Sequence, residues 1–322
     1  MGQSVVRLSE DRWAIVRDQS YYELEQRYQS HREVMDAYFA DTDAFLADHS
    51  QALDPASNRV LPPVTQDVQI FCQGLNYASH REEGGASASA SQIKGQNLIF
   101  SKPPSSISGP QDDIVRPKGC ALLDYEIELA LVMKRDVPAN TQITPDTLLN
   151  YVGGFTLAND VSARDFMFGA PMMQWFKGKG QRTFCPTGPI LYLLDLDELD
   201  LLSNLALTLS LNGEVRQQAT TDQLIHKPHE TLTELAGFAD INRGDLLLTG
   251  TPGGVILNAN LKVGLAILLN FTNDSKRRDK LLKSQEKIRY LQPGDQLTLK
   301  LQSKDGTHSF GTQTTGVRDA IA

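Results

Sequence analysis

From Val68 onward the chain is written as short runs of branched and aromatic residues cut apart by Gly and Pro, with little of helical period between them. Runs of this kind bounded by turn formers predict strands, here at 68–71, 97–100, 125–133, 154–158, 189–194, 205–211, 245–249 and 296–301. Leu211-Asn212-Gly213-Glu214-Val215 adds a hairpin, because Asn-Gly accepts the positive φ of a type I′ turn. The clearest helix in this part is 231–238, so the regular alternation of a doubly wound sheet is missing. The expected fold class is α+β and strand-dominated.

The N-terminal part reads differently. Strands are predicted at 5–8 and 13–16, and apolar residues fall at helical spacing over 21–46 (Tyr21, Leu24, Tyr28, then Val34, Tyr38, Phe45). Leu61-Pro62-Pro63 breaks that pattern. A small N-terminal α/β domain over 1–65 followed by a main domain over 66–322 is the expected organisation. A chain of 322 residues, 40% of them hydrophobic, buries about three quarters of its unfolded surface and needs no disulfide or structural metal to hold it.

Charge and cysteine usage exclude several functions. The formal charge of −8, from 31 Lys plus Arg against 39 Asp plus Glu, argues against a nucleic-acid partner. It leaves room for a small anionic substrate in a locally positive pocket. Cys72, Cys120 and Cys185 are odd in number and widely spaced, which signals neither a zinc framework nor a disulfide scaffold and suits a reducing cytoplasm. Arg7, Glu10, Asp11 and Arg12 come before any long apolar run, so no secretory leader is expected, and Val6 stands where a myristoylation signal wants Ser or Thr. No run approaches the roughly 18 apolar residues of a membrane span.

Three stretches carry chemistry. In Asp124-Tyr125-Glu126-Ile127-Glu128-Leu129 the two glutamates lie at i and i+2 of a predicted strand and share a face. The strand continues as Leu129-Ala130-Leu131-Val132-Met133, which reads as buried and makes a solvated acid pair uncomfortable unless a cation neutralises it. Asp160 ends an apolar strand, at a mouth where side chains converge on ligands. Together Glu126, Glu128 and Asp160 would form an all-oxygen site for a hard cation, Mg²⁺ or else Mn²⁺ or Ca²⁺. On a helix following the 68–71 strand, His80 and Glu83 would lie at i and i+3, within hydrogen-bonding reach, and the pair could act as a base; an ordinary surface helix is the alternative.

Other features point elsewhere. His226-Lys227-Pro228-His229 lacks a third ligand for a metal, Trp13 and Trp175 read as packing residues, and neither phosphate-binding glycine pattern is present. The charged run 275–289 reads as a solvated surface helix, with a docking patch as the alternative, and 84–91 is a small-residue stretch, flexible by composition.

The ordered motifs, taken together, resemble the fumarylacetoacetate hydrolase family. They are Gly74-Leu75-Asn76-Tyr77 with His80 and Glu83; Phe100-Ser101-Lys102-Pro103-Pro104; Asp124 to Leu129; Asn159-Asp160-Val161-Ser162-Ala163-Arg164-Asp165; and Gly178-Lys179 leading to Phe184-Cys185-Pro186-Thr187-Gly188-Pro189. Gly244-Asp245, Thr249-Gly250-Thr251-Pro252-Gly253-Gly254-Val255 and Pro293-Gly294-Asp295 follow in family order. The resemblance implies a mixed β-roll catalytic domain, a homodimer, a divalent cation on Glu126, Glu128 and Asp160, a His80–Glu83 dyad on a lid, and an active-site Lys179. It also implies substrate contacts at Tyr77, Arg164 and Thr251, with a structural role for Arg164 and a turn role for Thr251 as the alternatives.

The implied activity is hydrolysis of a carbon–carbon bond in a 1,3-diketo or acylpyruvate-like acid by water that His80 and Glu83 activate. Decarboxylation, isomerisation or hydration of a related 2-oxo acid is the alternative, and a non-catalytic binding protein keeping the fold is a third. Three departures from the family pattern concern the substrate: Met167 stands where Gln is frequent, Arg182 takes an acidic position, and 256–289 is longer than the short family form.

Overall fold

The computed structural model describes residues 2–83, 87–91, 93–170, 172–257 and 274–321. Among these, a mixed eleven-stranded sheet runs in the order Ala52–Leu53, Ser20–Glu23, Trp13–Arg17, Gln3–Arg7, Cys185–Leu193, Val152–Asn159, Ile127–Met133, Leu246–Leu248, Ile70–Gly74 and Leu98–Lys102, with Ile107–Ser108 alongside Cys185–Leu193. A five-stranded sheet is built from Glu214–Thr220, Leu205–Leu211, Gln296–Ser303, Ser309–Asp319 and Ile114–Arg116. Helices are short and peripheral, which makes the class α+β and strand-dominated.

Burial follows each strand's pattern. Leu205, Leu207, Leu209 and Leu211 are buried while the residues between them are half-exposed, the period-2 alternation of a sheet with one covered face. Ile127–Met133 is buried throughout: Leu129, Leu131 and Met133 enter one core, and Ala130 and Val132 another. A strand covered on both faces needs no alternation, and its sequence shows none.

The predicted 125–133 strand is interrupted. Leu123–Asp124 pairs with Ser162–Ala163, and the central strand starts only at Ile127. In the gap, side-chain amides replace ladder partners: Glu126 N–H donates to Asn159 Oδ1 at 3.0 Å and Ile127 N–H to Gln217 Oε1 at 2.9 Å. The break leaves Glu126 outside the ladder while Glu128 stays in it opposite Ala158.

At the N-terminus the helical reading of 21–46 holds only in part. Ser20–Glu23 is a strand, folded back on Trp13–Arg17 through Asp18 and Gln19, whose φ values of 46° and 58° make a tight turn without glycine. Helices occupy His31–Ala40, where the Ser30 side chain accepts from Glu33 N–H, and Thr42–Ala47. The proposed division at residue 65 is not a break in the sheet or the core. Gln3–Arg7 pairs with Cys185–Leu193, and Trp13, Val34 and Tyr38 share a core with Val132, Leu191 and Leu246.

The 275–289 run is a surface helix over Asp274–Ser284, with Lys276, Lys280 and Lys283 exposed as expected, but one side of it docks on the body. In Asp274–Ser284, Leu281 and Arg277 are buried, Arg277 Nε donates to Phe168 O at 2.8 Å, and Arg278 pairs with Asp165 at 2.6 Å. Of the 84–91 stretch, Ala88–Ser91 is a helical turn, and 84–86 lies outside the described residues.

Candidate active site

Strand register brings the acids together. Ile127 faces Asn159 across the antiparallel pair, so Glu126 and Glu128 lie beside the end of the strand that leads into Asp160. The Asp160 N–H closes the corner by donating to Glu126 O at 2.8 Å. Leu246–Leu248 and Ile70–Gly74 finish at this same edge, because Leu246–Leu248 runs antiparallel to Ile127–Met133 and parallel to Ile70–Gly74. Their continuations supply the Thr249 to Gly254 loop and the helix Ala78–Glu83.

Two glycines let these elements close. Gly250 has φ +93°, and a Cβ there would stand 2.7 Å from Asn76 Cβ. A Cβ on Gly253 would meet Ser79 and Glu83 at 3.1 Å, where the helix docks through Gly253 N–H to Ser79 Oγ and Gly254 N–H to Glu83 Oε1.

Among the described residues, Glu126, Glu128 and Asp160 form a buried carboxylate cluster in which one oxygen from each lies within 4.8 Å of the others, suited to holding a metal ion. His226 and His229 belong to no such described cluster. Charges of one sign at this spacing require neutralising groups. Lys179 Nζ donates to Glu126 Oε2 at 2.7 Å and Asp160 Oδ2 at 2.6 Å, while Arg164 donates to Glu126 Oε1 at 2.5 Å and to Asp124 Oδ2. Lys102 Nζ, wholly buried, donates to Asp160 Oδ1 at 2.5 Å and to Val161 O.

The environment separates the two glutamates. Burial pushes Glu126 upward, but Lys179 and then Arg164 outweigh it and hold the carboxyl well below its ordinary range. Glu128 is pushed well above that range by burial and then by the charges of Asp160 and Glu126. Its Oε2 accepts from Gly250 N–H at 2.7 Å, whereas Oε1 has no hydrogen-bond partner among the described residues. A buried carboxylate oxygen left without a donor, facing two other carboxylates, fits a cation ligand better than a structural acid. The residues present therefore fit a hard divalent cation.

A cavity of ≈ 370 Å³ opens beside the cluster. His80, Glu83, Glu126, Arg164, Lys179 and Thr251 line it on the polar side. Phe100, Met167, Phe168, Met173 and Trp175 are among its apolar walls. His80 Nδ1 lies 3.3 Å from Glu83 Oε2. Thr251 Oγ1 accepts from Gln217 Nε2 at 2.8 Å, which leaves its own hydroxyl hydrogen to donate. Trp175 packs, its ring centroid 4.9 Å from that of Phe100, and also forms cavity wall.

Tyr77 does not reach the cavity. Its side chain packs with Ala219 and Leu224, 1% exposed, and its hydroxyl has no hydrogen-bond partner among the described residues. Burial, and then the charge of Glu128, raises its phenol. The expectation of a substrate contact is thus corrected: Tyr77 forms a bridge to Leu224 that turns its ring away from the cavity lining. The residue that sequence reasoning missed is Lys102. A lysine at the end of a predicted strand reads as solvent-facing, and only its place in the Phe100 to Pro104 motif could have drawn attention to it.

Residues 69–318 match the family described as fumarylacetoacetate (FAA) hydrolase C-terminal. The chain is 38% identical over 195 residues to oxaloacetate tautomerase FAHD2A, mitochondrial, of Bos taurus, covering 61% of this chain and 59% of that protein. It is 37% identical to the Homo sapiens protein of the same name over the same shares of each chain. Those relatives are mitochondrial by name, so the cytoplasmic expectation gains nothing from them; among the described residues no helix is long and apolar enough to cross a membrane. Among solved structures, a probable 2-hydroxyhepta-2,4-diene-1,7-dioate isomerase from Mycobacterium abscessus superposes with a TM-score of 0.73 at 25% identity, covering 100% of both chains. A fumarylacetoacetate hydrolase from Exiguobacterium antarcticum gives 0.73 at 26% identity, over 99% of this chain and 100% of that one.

Proposed function

Because the chain belongs to the fumarylacetoacetate hydrolase family, we propose that it is a divalent-cation-dependent enzyme that moves a proton at the carbon beside the carbonyl of a small 2-oxo acid, interconverting keto and enol forms. One observation carries the reading: Glu126 of the carboxylate cluster, its cationic partners Lys179 and Arg164, and the His80–Glu83 pair line one cavity. Relatives named as tautomerases and an isomerase support it, since both names describe relocation of a proton or double bond without net addition of water.

Glu126, Glu128 and Asp160 would hold the cation, with Mg²⁺ the first choice and Mn²⁺ or Ca²⁺ as alternatives. When bound, it supplies Lewis-acid stabilisation of the negative charge that grows on the 2-oxo oxygen. Lys179 adds a positive charge at the same place, and the Thr251 hydroxyl donates to the substrate carboxylate. Arg164 is committed to Asp124 and Glu126, so its work is to hold Glu126 in place. Glu83 accepts from His80 Nδ1–H and so leaves Nε2 as the basic atom, which takes the proton from carbon and returns it to oxygen. The aromatic and Met side chains give the rest of the cavity an apolar lining.

A second reading is carbon–carbon hydrolysis of a 1,3-diketo acid. It is favoured by the position of the dyad, whose side chains are 14% and 35% exposed and therefore within reach of water. In that case Nε2 takes a proton from water, the water oxygen bonds to the distal carbonyl carbon, and the bond to the oxo-acid fragment breaks as the fragment leaves as an enolate and is reprotonated.

A panel containing oxaloacetate, acylpyruvates and unsaturated 2-oxo acids, assayed with Mg²⁺ and with excess chelator, tests the proposal. Chelator-sensitive enol–keto interconversion with no cleaved product supports the first reading, and carbon–carbon cleavage of an acylpyruvate with uptake of water supports the second. Full turnover after complete metal removal contradicts both, and acids that bind without any turnover point to a non-catalytic binding protein.

A further inference from the structure

Each carboxylate of the cluster has one oxygen tied down by a buried partner. Arg164 holds Glu126 Oε1, the Gly250 N–H holds Glu128 Oε2, and Lys102 holds Asp160 Oδ1. The oxygens that remain are Glu126 Oε2, Glu128 Oε1 and Asp160 Oδ2. Lys179 Nζ bonds the first and third of these, and the second has no partner among the described residues. Three oxygens left over by fixed donors, two of them satisfied by a single ammonium group, describe a cation's place filled by a side chain.

The two lysines on Asp160 differ in where they can go. Lys102 is fully enclosed, bonds a backbone carbonyl as well, and is absent from the cavity lining. Lys179 lines the cavity, and its ammonium stands 5.2 Å from the Phe100 ring centroid, a face that can receive it. A divalent cation that takes the three leftover oxygens would stand against the Lys179 ammonium with like charge.

We propose that Lys179 is a displaceable stand-in for the cation, driven from Glu126 and Asp160 into the cavity when a divalent ion binds, while Lys102 remains as the fixed counter-ion that positions Asp160. The inference rests on the cation-dependent reading above and adds to it a coupling: the ammonium is presented to substrate only in the metal-loaded protein. An anionic acid therefore meets its positive partner after the cation is in place, which orders the two binding events. Lys102 is in this account a positioning residue that touches neither substrate nor cavity.

Two measurements on the intact protein test this. Amine acylation of the wild type, followed residue by residue by peptide mass spectrometry with and without saturating Mn²⁺, reads the release directly. We expect Lys179 labelling to rise at least fivefold on Mn²⁺ addition while Lys102 stays protected; unchanged Lys179 labelling, or release of Lys102 in its place, overturns the proposal. Calorimetric titration of Lys179→Met with Mn²⁺ reads the competition, and affinity at least tenfold tighter than wild type is expected once the ammonium is gone. Equal or weaker affinity overturns the displacement. Absence of Mn²⁺ binding to the wild type in the same titration overturns the cation-dependent reading itself and is thereby told apart from a failure of displacement alone.

Discussion

At the scale of single residues, the most informative group is Glu128. It is buried beside two other carboxylates, one of its oxygens has no donor among the described residues, and burial with its neighbours' charges raises its carboxyl well above the ordinary range. An acid so placed is costly unless a cation neutralises it, and its use lies in binding. Glu128→Gln should therefore melt no lower than the chelated wild type in a thermal scan, and it should lose the rise in melting temperature that Mn²⁺ gives the wild type. A variant that is strongly destabilised without metal, yet still stabilised by Mn²⁺, would show Glu128 to be structural. The three acids could be read from sequence because two carboxylates on one face of an apolar strand have few comfortable explanations. Lys102 could not, because its partner Asp160 is 58 positions away and a strand-end lysine has an easy alternative in solvent.

At the scale of elements, the site depends on close contact between the short helices Arg164–Phe168 and Trp175–Lys179. Gly178 makes this possible: a Cβ there would lie 2.5 Å from Met167 Cβ. Gly178→Ala should cost about 1–3 kcal/mol by overpacking, measured as a lower urea midpoint, and should reduce turnover further because Lys179 follows in the chain. Unchanged midpoint and turnover would mean that the helices separate freely. Strand positions were readable where burial and pattern agree, as at Leu205–Leu211 and at the Asn212-Gly213 turn with φ values of 51° and 84°. They were hidden where tertiary partners override local preference. Ser309–Asp319, rich in Thr, Gly and Gln, is a strand because Gln296–Ser303 pairs with it, and Ser20–Glu23 is one because Asp18-Gln19 turns without glycine. The charged 274–284 segment was legible as a surface helix, but its docked side was not, because Arg277 and Arg278 bond the distant Arg164–Phe168 helix.

At the scale of the whole molecule, the N-terminal residues are tied to the body at a buried histidine. His31 Nε2 lies 3.0 Å from Gly244 O, and Nδ1 lies 2.8 Å from Thr65 Oγ1 and 3.2 Å from Thr65 N. Burial lowers its pKa from 6.5 to about 4, against the opposing Gly244 hydrogen bond. Above pH 6.5 the ring is neutral in both folded and unfolded chains, and its contribution is fully present. As pH falls, the unfolded chain takes up a proton that the folded one refuses, so stability is lost down to about pH 4, on the order of 3 kcal/mol in all. Urea midpoints across this range should fall more steeply for the wild type than for His31→Gln; parallel curves would assign the acid sensitivity to other groups. Removing residues 1–65 should leave an insoluble 66–322 fragment, because the Cys185–Leu193 edge and half of a core cluster become exposed, and a soluble fragment with a cooperative melt would make the segment an independent domain. The central claim is that one cavity joins a carboxylate-held cation to a His80 base. Proton–deuterium exchange at the carbon beside the carbonyl of a 2-oxo acid, followed by NMR in D₂O, tests it most directly. The account predicts exchange accelerated by the Mg²⁺-loaded protein, abolished by chelator and reduced about 10²- to 10⁴-fold in His80→Ala; exchange that survives both treatments would contradict it.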